Sequence, residues 1–246
     1  MSQSLEVIGL RKRFGGFSVI NDLGISVAHG ERRLILGPNG AGKTTLFNLI
    51  CGELEADEGS VRLLGKDVTG LGVAKRARSG LARTYQIITL FPNDSLLNNV
   101  ALALLGRSNR RLRFWDDFAG RSILKDKAQA LLKRIGLASL SDLPIHHCAY
   151  GVKRRVEIAL ALAQDPTILL LDEPFAGLSQ EERTSVRDLI EGIPRDVSII
   201  MIEHDMDVAL SFADTITVLH HGSVIVTGDR AEVVAHPRTR EIYLGS

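Results

Sequence analysis

The sequence predicts an α/β fold with a mainly parallel sheet, an N-terminal antiparallel β subdomain and a helical insert. Near-continuous apolar runs at 168–171 and 197–202 are typical of parallel strands that are buried on both faces. The N-terminal segments 5–10 and 19–27 instead alternate in polarity and contain many β-branched residues, which favours strands with one buried face. The chain between these regions follows the helical period, so we expect helices there.

Composition narrows the class of protein before any motif is considered. The 246 residues are 45% hydrophobic and 24% charged, which is typical of a globular protein, and we expect a single domain over residues 1–246. A net charge of +1 gives no general reason to expect a nucleic-acid partner. The two cysteines, Cys51 and Cys148, predict no disulfide framework and suggest a reducing compartment. No apolar run reaches the roughly 18 residues of a spanning helix, so we expect a cytoplasmic protein.

The N-terminal third predicts two strands joined by a turn, then a third strand that leads into a helix. Gly15 and Gly16 form a turn between the first two strands. The apolar run at 33–36 leads into a glycine-rich turn, after which residues 44–50 predict a helix that ends near Gly52. A further strand is expected at 61–65.

Helical spacing dominates residues 96–140, and the predicted insert covers about 92–163. One apolar face repeats at helical intervals and contains Leu124, Ala128, Leu131 and Ile135, with Gly136 as a helix stop. We expect this face to pack on a core.

The last third returns to alternating strands and helices. Residues 183–193 have helical spacing and lie between two apolar runs, and segments 216–219 and 224–227 predict a terminal hairpin.

Residues 37–44 match the phosphate-loop pattern G-x-x-x-x-G-K-[ST], with the strand before and the helix after that the pattern requires. Glycines let backbone amides surround anionic oxygens, and the positive end of the following helix points at them. Lys43 supplies a charge for the β- and γ-phosphates, and the Thr44 hydroxyl suits Mg²⁺. The predicted nucleotide-binding residues of this segment are Asn39, Gly40, Ala41, Gly42, Lys43, Thr44 and Thr45.

Two apolar strands end in groups that could complete this site. Asp172 and Glu173 follow the run at 168–171, and His204 follows the run at 197–202. The carboxyl ends of parallel strands are where open α/β sheets bind ligands. We expect Asp172 to help hold Mg²⁺, and Glu173 to act as a general base on the attacking water.

The order of these features resembles the ATP-binding subunits of ABC transporters over nearly the whole chain. The phosphate loop is followed by Gln86, by the segment 151–155 (Gly-Val-Lys-Arg-Arg), by Asp172–Glu173 and by His204. The resemblance implies that Gln86 contacts Mg²⁺ and the attacking water, and that His204 lies near the γ-phosphate. It also implies that Phe14 stacks on adenine, although a core role for Phe14 and a competing role for Phe17 stay open.

Several short segments are similar to the ATP-binding subunits of branched-chain amino acid importers. They include residues 82–86 (Ala-Arg-Thr-Tyr-Gln), 149–151 (Ala-Tyr-Gly), 202–206 (Ile-Glu-His-Asp-Met) and 243–245 (Tyr-Leu-Gly). The segment 148–152 departs from the general Leu-Ser-Gly-Gly-Gln signature, because Ala149 lacks the serine hydroxyl. Ser179 stands where many relatives have aspartate.

The resemblance implies an ATPase that uses ATP and Mg²⁺. Two chains would close head to tail, and the segment Ala149, Tyr150 and Gly151 of one chain would contact the ATP bound by the other. The implied partners are permease subunits, a second ATPase chain and, indirectly, a solute-binding protein, with the chain peripheral on the inner face of the membrane. An ABC ATPase that is not coupled to transport and an exporter motor stay open as alternatives. A basic, aromatic cluster (Arg107, Arg110, Arg111, Arg113, Phe114 and Trp115) is interpreted as a solvated or headgroup-facing surface.

Overall fold

The computed structural model describes residues 2–85, 90–107, 118–203 and 212–244. Within these ranges the strands are β1 (Gln3–Phe14), β2 (Phe17–Ala28), β3 (Arg32–Leu36), β4 (Glu58–Leu63), β5 (Lys66–Asp67), β6 (Leu81–Arg83), β7 (Ile168–Asp172), β8 (Ser198–Ile202), β9 (Thr215–His220) and β10 (Ser223–Gly228). The helices are α1 (Lys43–Cys51), α2 (Val73–Arg78), α3 (Leu96–Arg107), α4 (Phe118–Arg134), α5 (Tyr150–Leu162), α6 (Gln180–Glu191), α7 (Arg230–Ala235) and α8 (Pro237–Leu244).

The chain divides into two compact units. The first comprises Met1–Arg83, Thr167–Glu173 and Pro194–Ser246, and it contains all the described strands. The second comprises Thr84–Pro166 and Pro174–Ile193, and it contains α3 to α6. The second unit includes the predicted insert and also α6, whose sequence predicts only a helix between two strands. The prediction of one domain over the whole chain stays a prediction.

The first unit contains two sheets. One has the order β2-β1-β4-β5 with antiparallel pairs throughout, which confirms the predicted N-terminal antiparallel strands. The other has the order β10-β9-β3-β8-β7-β6 and is parallel except for the β9–β10 hairpin. Every residue of β3, β7 and β8 is buried, as expected for parallel strands covered on both faces.

Parallel pairing brings the carboxyl ends of β3, β7 and β8 to one edge of the sheet. Leu36 ends β3, Asp172 ends β7 and Ile202 ends β8, and Asp172 is aligned with Ile202. The glycine-rich loop therefore leaves the sheet on the same edge as the two predicted carboxylates, where α/β sheets bind ligands.

Helix α4 in the second unit packs as the sequence predicts. Of the predicted face, Ala128 is fully buried, Ile135, just after the helix, is 5% exposed, and Leu131 is partly buried against the same apolar cluster. Leu124 is only partly buried and is not among the residues of that cluster. Leu132 is also fully buried, so the buried face is wider than the predicted stripe. The helical region predicted at 96–140 is realised as α3, α4 and a short 3₁₀ helix (Ala138–Leu140). Among the described helices, none combines the length and hydropathy that crossing a membrane requires.

Candidate nucleotide-binding and hydrolysis site

The loop between β3 and α1 can only be formed by glycine at several positions. Gly42 has a φ of 100°, and a Cβ there would lie 2.9 Å from the Val19 carbonyl oxygen. Gly40 has a φ of 80°, which L side chains rarely adopt. At Gly37 the obstacle is packing, because a Cβ would lie 2.4 Å from the Leu219 carbonyl oxygen. The backbone therefore curves tightly at the start of α1, as the phosphate-loop pattern predicts.

The turn of the predicted terminal hairpin supports the loop, a contact that the sequence does not predict. The Gly222 amide donates to the Ala41 carbonyl at 3.0 Å, and a Cβ at Gly222 would lie 2.2 Å from the Val19 carbonyl oxygen. Gly222 lies in the β9–β10 turn, 180 residues from Gly42 along the chain (222 − 42). Contacts at such separation leave no signal in local sequence patterns.

Lys43 is the first residue of α1, and its side chain lies along the loop. Its ammonium donates to the carbonyl oxygens of Gly37 (2.5 Å) and Pro38 (3.1 Å), and the residue is 7% exposed. Burial lowers the pKa of Lys43, and the carboxylates of Glu173, Asp172 and Glu203 act against that shift. Burial outweighs the three carboxylates in its effect on the pKa, and the carboxylates place negative charge near the ammonium.

The carboxylates near Lys43 come from the ends of β7 and β8. Asp172 is 2% exposed and Glu203 is 1% exposed, whereas Glu173 is partly exposed. Glu173 has a φ of 46°, a conformation that costs a non-glycine residue about 1 kcal/mol or more and that is found in functional sites. Its amide still donates to Ile202 O at 3.0 Å, so the turn is held by the neighbouring strand. The sequence did not assign a role to Glu203.

The residues around the loop fit a magnesium nucleotide. A hydroxyl at Thr44, which is exposed, and a carboxylate at Asp172 are oxygen donors of the kind Mg²⁺ prefers. In the described part of the chain, no group of three or more His, Cys, Asp or Glu side chains could form a complete metal site.

Asp172 has a partner that the sequence reasoning missed. Arg83, the last residue of β6, donates from Nη2 to Asp172 Oδ2 at 2.8 Å. In the sequence Arg83 was noted only as part of the segment 82–86, and no local pattern connects it with a residue 89 positions later.

The segment 149–151 comprises the N-cap and the first two residues of α5, and its backbone makes a hydrogen bond that the sequence does not predict. Ala149 is the N-cap residue but provides no side-chain cap. Instead, the Gly151 amide donates to Glu182 Oε1 at 2.9 Å, and the Ser179 amide donates to Oε2 of the same carboxylate at 3.0 Å. These two hydrogen bonds lower the pKa of Glu182, that from Ser179 contributing most. Ser179 and Glu182 also form a capping box at the start of α6.

Most of the remaining predicted site residues in the described ranges are exposed, and several others lie outside those ranges. Phe14 is 46% exposed and Phe17 is 81% exposed, so the alternative of Phe14 as a core residue is wrong. Asn39, Gly40, Ala149 and Tyr150 are exposed, and Thr45 is partly buried. Other predicted residues lie outside the described residues, namely Gln86, His204, Arg110, Arg111, Arg113, Phe114 and Trp115.

A glycine-rich loop at the start of a helix, beside a buried lysine and carboxylates at the ends of parallel strands, defines an α/β nucleotide-binding ATPase. The profile described as "ABC transporter" matches residues 20–176, and the chain belongs to that family.

Three similar proteins illustrate this membership. A "Probable ABC transporter ATP-binding protein" of Azorhizobium caulinodans is 35% identical, over 98% of this chain and 83% of that protein. The "High-affinity branched-chain amino acid transport ATP-binding protein LivG" of Escherichia coli K12 is 34% identical, over 100% and 99% of the two chains. The crystal structure of the ADP conformation of MJ1267, an ATP-binding cassette of an ABC transporter, has a TM-score of 0.87 and 30% identity over all of both chains. The chain is therefore an ABC ATPase subunit that binds nucleotide and hydrolyses ATP.

Proposed function

We propose that this chain is the ATP-hydrolysing motor of an ABC importer for branched-chain or related amino acids or small organic solutes. The observation that carries the proposal is the phosphate loop with Lys43 among the strand-end carboxylates. It occurs in a chain that aligns along its whole length with LivG, a branched-chain amino acid transport protein by name. The class of solute is a separate step of the proposal, because the permease and the solute-binding protein would select the solute.

Binding of ATP would begin at the loop. The amides between Asn39 and Thr45 would surround the phosphates, with the positive end of α1 and the Lys43 ammonium adding charge. Lys43 already donates to two loop carbonyls and would exchange these for phosphate oxygens. Phe14, which is exposed at the end of β1, would stack on adenine.

Thr44, Asp172 and Gln86 would hold Mg²⁺, which would neutralise charge on the β- and γ-phosphates. Glu173 would accept a proton from the attacking water, and His204 would contact the γ-phosphate. The left-handed backbone of Glu173 turns the chain directly after the buried strand, which supports a special role for this carboxylate.

Coupling to transport would come from a second ATPase chain, either another copy or a sister subunit. The segment Ala149–Gly151 of each chain would contact the ATP of the other, so that ATP closes the pair and hydrolysis reopens it. Closure would drive permease subunits at the inner face of the membrane, and a solute-binding protein would deliver the solute.

Purification of a tagged chain from detergent-solubilised membranes of the source organism tests the partners. We expect polytopic permease subunits and a second ATPase chain in the purified complex. The complex is then placed in vesicles that contain ATP, and uptake of radiolabelled leucine is measured with and without the solute-binding protein. A Lys43→Ala complex serves as the control that assembles without driving uptake. Recovery of soluble or nucleic-acid-associated proteins alone would refute the transport proposal, and ATP-driven efflux would refute import.

A further inference from the structure

Arg83 lies between the helix that follows the phosphate loop and the predicted metal-binding carboxylate. Its side chain is 6% exposed. Nη2 donates to Asp172 Oδ2 at 2.8 Å, and Nη1 donates to Asn48 Oδ1 at 2.6 Å. The guanidinium also lies over the Phe47 ring, 5.5 Å from its centroid. One planar cation thus contacts both β7 and α1.

Strand pairing explains how Arg83 reaches the carboxylate. Arg83 is aligned with Leu170 in the parallel pair of β6 and β7. Leu170 and Asp172 are two residues apart, so their side chains leave the sheet on the same face. Asp172 is 2% exposed, and burial of a carboxylate is costly unless a cation or hydrogen-bond donors compensate it. Arg83 supplies both.

The second contact connects this pair to the loop. Asn48 and Thr44 are four residues apart on α1, so they share one face of the helix. Thr44 and Asp172 are the described residues that the proposed function assigns to Mg²⁺. The contacts from Asn48 through Arg83 to Asp172 therefore connect the two elements that carry these donors.

We propose that Arg83 is a positioning residue, which holds Asp172 and α1 in the arrangement that Mg²⁺-dependent nucleotide binding requires. The proposal rests on the proposed function, because that function assigns Thr44 and Asp172 to the metal. Arginine suits the role because its rigid fork donates in two directions at once, whereas the lysine ammonium is a compact point charge. Glu53, whose carboxylate lies 3.4 Å from Arg83 Nη1, adds a further negative charge beside the guanidinium.

The test compares Arg83→Met and Arg83→Lys with the wild-type chain. Binding of a fluorescent, non-hydrolysable ATP analogue is titrated at increasing Mg²⁺ and again in EDTA. Loss of a hydrogen bond to a charged group corresponds to about tenfold or more in an equilibrium constant, so Arg83→Met should raise the Mg²⁺ midpoint by about that factor. Arg83→Lys should give an intermediate shift, and affinity in EDTA should stay at the wild-type value in both variants.

Arg76→Met is the matched control. Arg76 is 3% exposed and donates from Nη1 to the carbonyl oxygens of Leu49 (2.6 Å) and Ile50 (2.8 Å), at the other end of α1. Both arginine-to-methionine variants should lower the melting temperature, but only Arg83→Met should move the Mg²⁺ midpoint. Equal midpoint shifts in the two variants, or none in either, would overturn the positioning role.

Three further outcomes are interpreted as follows. If Arg83→Met does not fold, Arg83→Lys carries the comparison, and an unchanged Mg²⁺ midpoint in that variant overturns the proposal. If Mg²⁺ does not strengthen binding to the wild-type chain, the proposed metal site itself fails. If it does so equally in the wild type and the Arg83 variants, only the role of Arg83 fails.

Discussion

The contact between Gly151 and Glu182 allows a quantitative prediction for Gly151→Ala. A Cβ at position 151 would lie 2.6 Å from Glu182 Cγ and 2.7 Å from Cδ, so the glutamate side chain must move. Its carboxylate would then lose the amide donors of Gly151 and Ser179. A hydrogen bond to a buried charge contributes about 1.5–3 kcal/mol, but this carboxylate is partly exposed and about 1 kcal/mol each is the better figure. Loss of both hydrogen bonds should therefore cost about 2 kcal/mol in free energy of unfolding, of which the helix propensity of alanine in α5 recovers about 0.5–1 kcal/mol.

A double-mutant cycle with Glu182→Ala isolates this interaction. Glu182→Ala removes the same two hydrogen bonds, so in that background Gly151→Ala should stabilise by about 0.5–1 kcal/mol, as alanine does in a helix. The coupling between the two substitutions should be about 2 kcal/mol. Gly106→Ala in α3 is the control, since a Cβ there meets nothing within 4 Å and a helical alanine should stabilise by about 0.5–1 kcal/mol. Free energies come from urea unfolding followed by circular dichroism. Additive effects of the two substitutions would refute the argument.

Other predictions concern the loop, its lysine and the effect of pH. Lys43→Ala should weaken ATP binding by about 10–100-fold, measured by calorimetry, because a charged contact to phosphate is lost; unchanged affinity would count against the phosphate-loop assignment. Gly42→Ala should destabilise the chain more than Gly40→Ala, because only the former adds a clash, with Val19 O and Ile20 Cδ1 at 2.9 Å; equal melting temperatures would contradict this. Because the pKa of Glu182 is lowered in the folded chain, the ionised carboxylate stabilises the fold fully at pH values above the ordinary glutamate pKa. This stabilisation is lost as the pH falls through the lower pKa of the folded state. Wild type and Glu182→Ala should therefore converge in stability in acid, and a constant difference would disprove it.

The fold was predictable where local patterns report burial directly. The apolar runs at 168–171 and 197–202 became β7 and β8, and the hairpin of β9 and β10 lies where the sequence predicts it. The two-residue β5 and three-residue β6 were not predicted. Strands this short contain too few residues to show alternation, and β6 is defined by its pairing with β7.

The residues of the candidate site likewise include some that local sequence patterns predict and others that depend on tertiary contacts. The loop and the residues Asp172 and Glu173 were predictable because the phosphate pattern and a strand ending in carboxylates are local features. The pairing of Arg83 with Asp172 and that of Gly151 with Glu182 depend on tertiary packing across 89 and 31 residues. Ser179 and Glu182 do have the spacing of a capping box, so this half of the Glu182 network could have been found from the sequence.

ATP hydrolysis by the Glu173→Gln variant tests the central claim most directly. The account predicts that this variant binds ATP as the wild type does but turns it over about 10²–10⁴ times more slowly, the usual size of a general-base effect. Glu181→Gln, in the exposed first turn of α6, is the control and should hydrolyse ATP at the wild-type rate. Turnover near the wild-type rate in Glu173→Gln would contradict the assignment of Glu173 as the base of the reaction.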